Sequence, residues 1–399
     1  MDQPKNFIVI SPHFPDNFST FSVRLRERGF NVLGIADVAY EQLSDTLKNS
    51  LTEYYRVNNM NDYDQMYRAV AFFAHKYGKI DRIESHNEHW LELDAHLRTD
   101  FNVFGYTLAE LEPAKKKSSM KKRFRELGLP VAKGRIFSDQ EDAFYLAEKL
   151  GYPVIVKPDS GVGAGDTYKV NDSDQLAVFF EKRDPTVDFI MEEFIPGDVV
   201  TFDGLCDQDG NIVFYSSLEY NIAVLETVEN DSDMYFYLPR EIPEDLIEMG
   251  TKIVEGFNIK ERFFHFEFFR TYPEGILMPL EVNMRPPGGP TIDMYNYVNE
   301  FDIFAEYANV VKENQFKSPS KRLYNCAYIS RKANKDFNYL HDNEAIRQEL
   351  GKALVGIQSV PDIFSTILGT EGYIVRSPDL EELFEHIAYI SKKQDSFIS

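Results

Sequence analysis

Residues 263–289, FFHFEFFRTYPEGILMPLEVNMRPPGG, decide how the chain is read. Apolar residues recur with a period of two on both sides of TYPEG, which marks two antiparallel strands joined by a turn. A turn centred on Glu274 sets Glu267 opposite Glu281 and His265 opposite Asn283. It directs Phe264, Phe266, Phe268, Leu280 and Val282 to the opposite face, into a core. Two carboxylates side by side repel unless a cation or proton lies between them. Oxygen ligands from Glu267, Glu281 and Asn283 suit Mg2+ bridging substrate phosphates. Arg285, two residues beyond Asn283 on the same face, is placed for a phosphoryl oxygen. The loop carrying Gly288 and Gly289 suits a close approach to a ligand. A solvated strand face with incidental acids is the plainer alternative.

Upstream, residues 154–170 read VIVKPDSGVGAGDTYKV. Gly161, Gly163 and Gly165 let backbone N–H groups approach phosphate oxygens with no Cβ in the way. Lys157 ends the incoming strand, where its ammonium can meet the same phosphates. The loop is not a Walker loop, and because it leads into a strand it is not a dinucleotide fingerprint. The next segment, IMEEFIPGD, offers Glu192, Glu193 and the backbone of Phe194 and Ile195 as a surface for adenine and ribose, or serves as a simple connector.

Before these come about a hundred residues of βαβα grammar. The strands FIVIS, NVLGI, YYRV and DRIES alternate with helices, which predicts a parallel sheet covered on both faces. Such sheets bind ligands beyond their strand C-termini. The loops SPHFPDNF and HNEH lie there, so His13, Glu84, His86, Asn87, Glu88 and His89 are candidates for an acid or amine pocket. A cap or a helix-dipole role is the commoner use of such residues. Pro113 and the run KKKSSMKKR mark a change of unit. Period-two strands such as VVTFDGLC and IVFYSSLE predict a mainly antiparallel sheet from Val199 to Asn283. A last piece from about Pro319 begins with the strand NCAYIS and ends in a helix.

Composition narrows the function classes. The 399 residues carry 43 Lys and Arg against 65 Asp and Glu, a formal charge of −22. So acidic a surface repels nucleic acid and anionic membranes. Cys206 and Cys326 match no metal or redox spacing, no apolar run approaches a membrane span, and the start resembles no export signal. A soluble cytoplasmic protein is expected.

In combination and order, Lys117 ahead of a helix ending in GLP, PVIVKP, the glycine loop, EEFIPG, HFEFF and LEVNMRPPGG resemble the ATP-grasp superfamily, over about Pro113 to Asn314. The type is that of the carboxylate-amine ligases, such as the L-amino acid ligases, and more distantly biotin carboxylase and carbamoyl-phosphate synthetase. The resemblance implies an α/β and α+β chain. Residues 1–112 would be an N-terminal parallel α/β domain, 113–196 a small lobe with a glycine lid, 197–318 a large lobe with an antiparallel sheet, and 319–399 a small C-terminal lobe. Lys117 and Lys157 would contact ATP phosphates, with Lys157 and Arg285 carrying the chemistry. Gly161, Gly163 and Gly165 would form the lid, and Glu192, Glu193, Phe194 and Ile195 would hold adenine. Glu267, Glu281 and Asn283 would bind two Mg2+ (or Mn2+) ions, and Arg285 would stabilise an acyl phosphate. Two departures stand out. Asp198 and Val199 lie where many members carry a ribose-gripping Glu, and Asp166 lies where some carboxylases carry a basic residue.

The implied activity is an ATP-dependent ligase that forms a C–N bond through an acyl phosphate, with small-molecule acid and amine substrates and room for a homodimer. The runner-up activates bicarbonate, as a carboxylase or carbamoyl-phosphate enzyme does, although the chain has no biotin-carrier segment. A nucleotide-binding regulatory protein without turnover would not need Lys157, Glu267, Glu281, Asn283 and Arg285 together. A nicotinamide-dependent oxidoreductase would need glycines in the first βα loop, and SPHFPDNF has none.

Overall fold

The structure, a computed structural model, is described here for residues 4–161, 166–221, 233–319, 321–332, 339–362 and 365–394. Gly163 and Gly165 of the glycine loop lie outside the described residues. Strands β1 (Asn6–Ile10), β2 (Asn31–Ala36), β3 (Glu53–Arg56) and β4 (Arg82–Glu84) form the expected parallel sheet, in the order β3-β2-β1-β4. Its strands are apolar on both faces. Phe7, Val9 and Val32 pack with Phe21, Phe304 and Tyr307. Ile8, Ile10, Leu33 and Ile35 pack with Met66, Val70 and Phe73. β1 and β4 are neighbours where the strand order reverses. The loops that follow them therefore open at one place, the usual ligand position of such a sheet.

Pro113 falls within a helix and not in a linker. It lies inside the helix Leu108–Lys115, and the chain turns at Lys116 into the helix Lys117–Glu126. The proline falls in the final turn of a short helix, so its breaking effect coincides with an end already reached.

Strands β5 (Gly134–Ile136), β6 (Val154–Pro158), β7 (Tyr168–Val170) and β8 (Phe189–Glu193) make a small antiparallel sheet, ordered β5-β8-β6-β7. The helices Gln140–Leu150 and Ser173–Lys182 cover it through Ala143, Leu146, Leu176 and Phe179.

The third sheet contains β9 (Gly197–Cys206), β10 (Ile212–Ser216), β11 (Glu219–Tyr220), β12 (Tyr235–Leu238), β13 (Phe263–Thr271), β14 (Leu277–Asn283), β15 (Asn325–Arg331), β16 (Leu354–Ser359) and β17 (Glu371–Ser377). The order is β14-β13-β9-β11-β12-β15-β17-β16, with β10 also on β9. The C-terminal strands thus continue the same sheet through the β12–β15 pair. The β13–β14 hairpin has the expected register, with Glu267 opposite Glu281 and His265 opposite Asn283. A bulge after Glu267 then shifts it and sets Phe268 opposite Pro279. Pro279 consequently takes the buried place and Leu280 is only half-buried, whereas Phe264, Phe266, Phe268 and Val282 enter the core as read. Among the described residues no helix is long and apolar enough to cross a membrane.

Candidate active site

Two walls face each other. The first belongs to the small sheet and the helix beside it. Asp159, just after β6, accepts hydrogen bonds from Ser118 N (2.7 Å) and Ser118 Oγ (2.9 Å), and its carbonyl accepts from Lys117 N (2.8 Å). This clasp brings Lys117 to the end of β6, where Lys117 Nζ lies 3.4 Å from the Gly161 carbonyl. One turn further along the helix, Lys121 points inward. Its Nζ is 3.0 Å from Glu192 Oε1, and Lys157 Nζ is 3.2 Å from Glu192 Oε2. Burial opposes charge on Glu192, but the two ammonium groups prevail and hold its carboxyl below the ordinary range. Lys121 is pushed down, first by burial and further by Lys157. Two cations on one carboxylate leave an excess positive charge in a dry place, which suits a phosphate.

The second wall is the face of β9, β13 and β14. Thr201 lies opposite Glu267, and Asp203 lies opposite His265. His265 Nδ1 is 2.6 Å from Asp203 Oδ1, and its Nε2 is 3.4 Å from Glu267 Oε1. Thr201 Oγ1 and Tyr295 OH donate to Asp203 Oδ2 at 2.9 and 3.2 Å. Burial works against charge on His265, but the two acids outweigh it and push its pKa up to about 9. The imidazolium in turn holds the Glu267 carboxyl below its ordinary range, against burial. Lys117 Nζ lies 3.6 Å from Glu281 Oε1, so the walls meet across a narrow gap.

Among the described residues no three His, Cys, Asp or Glu side chains form a metal cage on their own. The donor set is two carboxylates and the Asn283 amide. Three oxygen donors with the remaining positions left to phosphate and water is the arrangement Mg2+ favours, so the residues present fit that ion.

Beyond Asn283, Arg285 Nε lies 3.7 Å from Glu88 Oε2, and its NH1 donates to the Pro286 carbonyl at 2.8 Å. Burial raises the Glu88 carboxyl, against the pull of Arg285. Gly289 has φ +62°, and its carbonyl accepts from Asn17 Nδ2 at 3.3 Å, which ties the PPGG loop to the first βα loop. Gly288 is exposed and a Cβ there would meet nothing within 4 Å.

Glu84 is committed elsewhere. Arg98 NH2 donates to it at 2.9 Å, and Arg262 NH2 donates to both its oxygens at 3.0 and 3.1 Å. His86 stacks on Phe21 with ring centroids 3.9 Å apart, and burial lowers its pKa to about 4, so it sits in the core as a neutral ring. His13 is half-buried near Asp37, with burial lowering its pKa. Asn87 caps the turn at Glu88–Trp90 through His89 N, and His89 is exposed. Glu193 is also engaged, accepting from Lys133 N at 2.8 Å. The Phe194 ring lies under Lys169 Nζ at 4.1 Å, Ile195 is half-buried, and Asp198 is exposed beside Tyr272.

Sequence reasoning missed Lys121, Asp159 and Asp203. Spacing held a signal for Lys121, which is four residues after Lys117 and so on the same helix face. Asp203 shares strand parity with Thr201 on β9. Asp159 had no signal beyond its nearness to Lys157.

Residues 150–293 match the ATP-grasp domain family. The chain is 27% identical over 244 residues to the L-arginine-specific L-amino acid ligase of Bacillus subtilis, across 59% of this chain and 58% of that protein. The chain thus spans little more than half the length of that relative. Among solved structures, the L-amino acid ligase from Bacillus licheniformis superposes with a TM-score of 0.75 at 16% identity, covering 98% of both chains. The biotin carboxylase domain of the Hydrogenobacter thermophilus 2-oxoglutarate carboxylase, a dimer in complex with MgADP, ADP and bicarbonate, gives 0.69 at 15% identity, covering 99% of this chain and 91% of that one. Residues 150–293 thus match the ATP-grasp domain family, and the chain as a whole shares the fold of these two solved enzymes.

Proposed function

We propose that the protein is an ATP-dependent carboxylate-amine ligase. ATP phosphorylates a carboxylate, an amine attacks the acyl phosphate, and an amide, ADP and phosphate leave; in the narrower form both substrates are amino acids. The observation that carries this reading is the pair of opposed walls, with Lys117, Lys121 and Lys157 on one side and Glu267, Glu281 and Asn283 on the other. Phosphoryl transfer needs positioning and charge neutralisation more than a covalent partner, and that pairing supplies both.

In this reading Lys117 and Lys157 neutralise the polyphosphate, and the backbone from Glu192 to Ile195, with Asp198, borders adenine and ribose. Glu267, Glu281 and Asn283 would hold Mg2+, which adds cationic charge to the phosphoryl oxygens. Arg285, with the Gly288 and Gly289 amides beside it, receives the charge that develops on the acyl phosphate and its tetrahedral successor. Glu88 and His13 border the place where acid and amine meet. The likeness to L-amino acid ligases supports an organic acid over bicarbonate as the activated group.

The test is ADP release in the presence of Mg2+ and ATP across a panel of amino acids, alone and in pairs, with hydroxylamine as a trapping amine. A hydroxamate that forms only with a particular acid supports the ligase. Sustained ADP release on bicarbonate alone, well above the background ATPase, overturns it in favour of carboxyphosphate chemistry.

A further inference from the structure

We propose that Lys121 is a positioning residue for the nucleotide: it shares Glu192 with Lys157 and so leaves the Lys157 ammonium available to a phosphate. The inference deepens the ligase reading and rests on it. Three side chains carry it, Lys121 with 3% of its side chain exposed, Glu192 with 4% and Lys157 with 9%. Lys121 lies deepest of the cations and reaches one carboxylate oxygen, while Lys157 reaches the other.

Consider the same site with Lys121 removed. Lys157 and Glu192 then form an isolated ion pair in a dry environment, where the attraction between opposite charges is strong. Transferring the Lys157 ammonium to an incoming phosphate would leave Glu192 buried without a counter-ion, a costly state. With Lys121 at 3.0 Å, Glu192 keeps a cation whichever way Lys157 turns. The trio also holds an excess positive charge before nucleotide arrives, and the polyphosphate neutralises it. Lys121 thus acts through Glu192 and Lys157 and needs no contact with the nucleotide. A run of lysines on an exposed helix would normally be solvated, yet this one faces inward, as the buried positions of Met120, Lys121 and Phe124 show.

The experiment is a double-mutant cycle on the full chain, read as the Kd of β,γ-methylene-ATP with Mg2+ by isothermal titration calorimetry. The proteins are wild type, Lys121→Met, Glu192→Gln and the double variant, each first checked for folding by thermal melting. Lys121→Met should weaken binding on the order of tenfold, a size usual for coupled contacting residues. Adding Glu192→Gln should restore most of that loss, because the carboxylate that captures Lys157 is gone. Lys121→Arg keeps the charge and should bind more tightly than Lys121→Met, and Lys121→Gln replaces the methionine variant if that one does not fold. A merely structural lysine would leave the double variant no tighter than Lys121→Met, and that result overturns the inference. So does unchanged binding by Lys121→Met. Failure of wild type to bind the analogue at all would instead refute the ligase reading.

Discussion

The brace at Glu84 offers the sharpest separation of structural from substrate roles. Glu84→Gln keeps shape and removes one charge, so Arg98 and Arg262, 1% and 4% exposed, lose their shared carboxylate. Breaking a buried ion pair typically costs about 3–5 kcal/mol, because it strands the partner. Here each guanidinium keeps other acceptors: Arg98 donates to the carbonyls of Ile83 (2.9 Å) and Tyr106 (3.1 Å), and Arg262 to that of Met284 (3.1 Å). The expected loss is therefore near the lower end, about 3 kcal/mol, or roughly 1–2 M in urea midpoint for an ordinary urea dependence.

Trp90, the only tryptophan, lies six residues from Glu84 and reports unfolding locally by fluorescence. Burial opposes ionisation of Glu84, but Arg262 and Arg98 prevail and depress its pKa below the ordinary 4.5. A depressed carboxyl contributes stability that is present above the unfolded pKa and lost as pH falls through the folded one. The gap between wild type and variant should thus be full at pH 7 and shrink below about pH 4.5. An unchanged midpoint together with a raised KM for one substrate would refute this reasoning and make Glu84 a substrate ligand.

Lys157→Met and Arg285→Met should each abolish ADP formation with the verified substrates while circular dichroism stays that of wild type; near-normal turnover in either would remove its assigned role. Glu267→Gln and Glu281→Gln should each shift the Mg2+ titration of activity to higher concentration by at least tenfold, and superimposable titrations would dismiss the proposed ion site. Gly250 lies on the buried face of the helix Glu244–Gly256, and Gly250→Ala should destabilise by about 1–3 kcal/mol despite alanine's better helix propensity. A Cβ there would lie 2.1 Å from the Phe202 ring, and the check is a lower denaturant midpoint at constant slope.

How much of this was legible follows from what each signal depends on. The β13–β14 hairpin is nearly self-contained, so alternation and one turn placed Glu267 beside Glu281. The bulge after Glu267 depends on how β13 sits between β9 and β14, which no local pattern encodes, and Leu280 was misplaced for that reason. The parallel sheet announced itself through strands apolar on both faces. The helix Ile303–Glu313 has polar residues at helical spacing too, but the burial of Glu306 and Asn309 on it is set by tertiary packing and has no local signal. In the site, residues that would touch ligand were readable as charges at strand ends. Lys121 and Asp203 act on other side chains, and their importance appears only when helix, small sheet and large sheet come together. Glu84 and His86 were readable as polar residues at a strand end, but not as core residues, since Arg262 reaches Glu84 from 178 positions away and His86 is held by its stack on Phe21, 65 positions before it.

The pairing of β12 with β15 makes the end of the chain a poor place to cut. Leu238 lies opposite Cys326 and Phe236 opposite Tyr328, and the rings of Phe236 and Tyr328 stack 5.2 Å apart. Removing everything after residue 318 would not release a tidy appendage. It would leave β12 with a row of unanswered backbone donors and acceptors, flanked by the newly bared Met234, Phe236 and Leu238. Such an edge is a template for strand addition by other molecules. A shortened protein of this kind would be expected to self-associate and precipitate even though every residue of the two facing walls is still present.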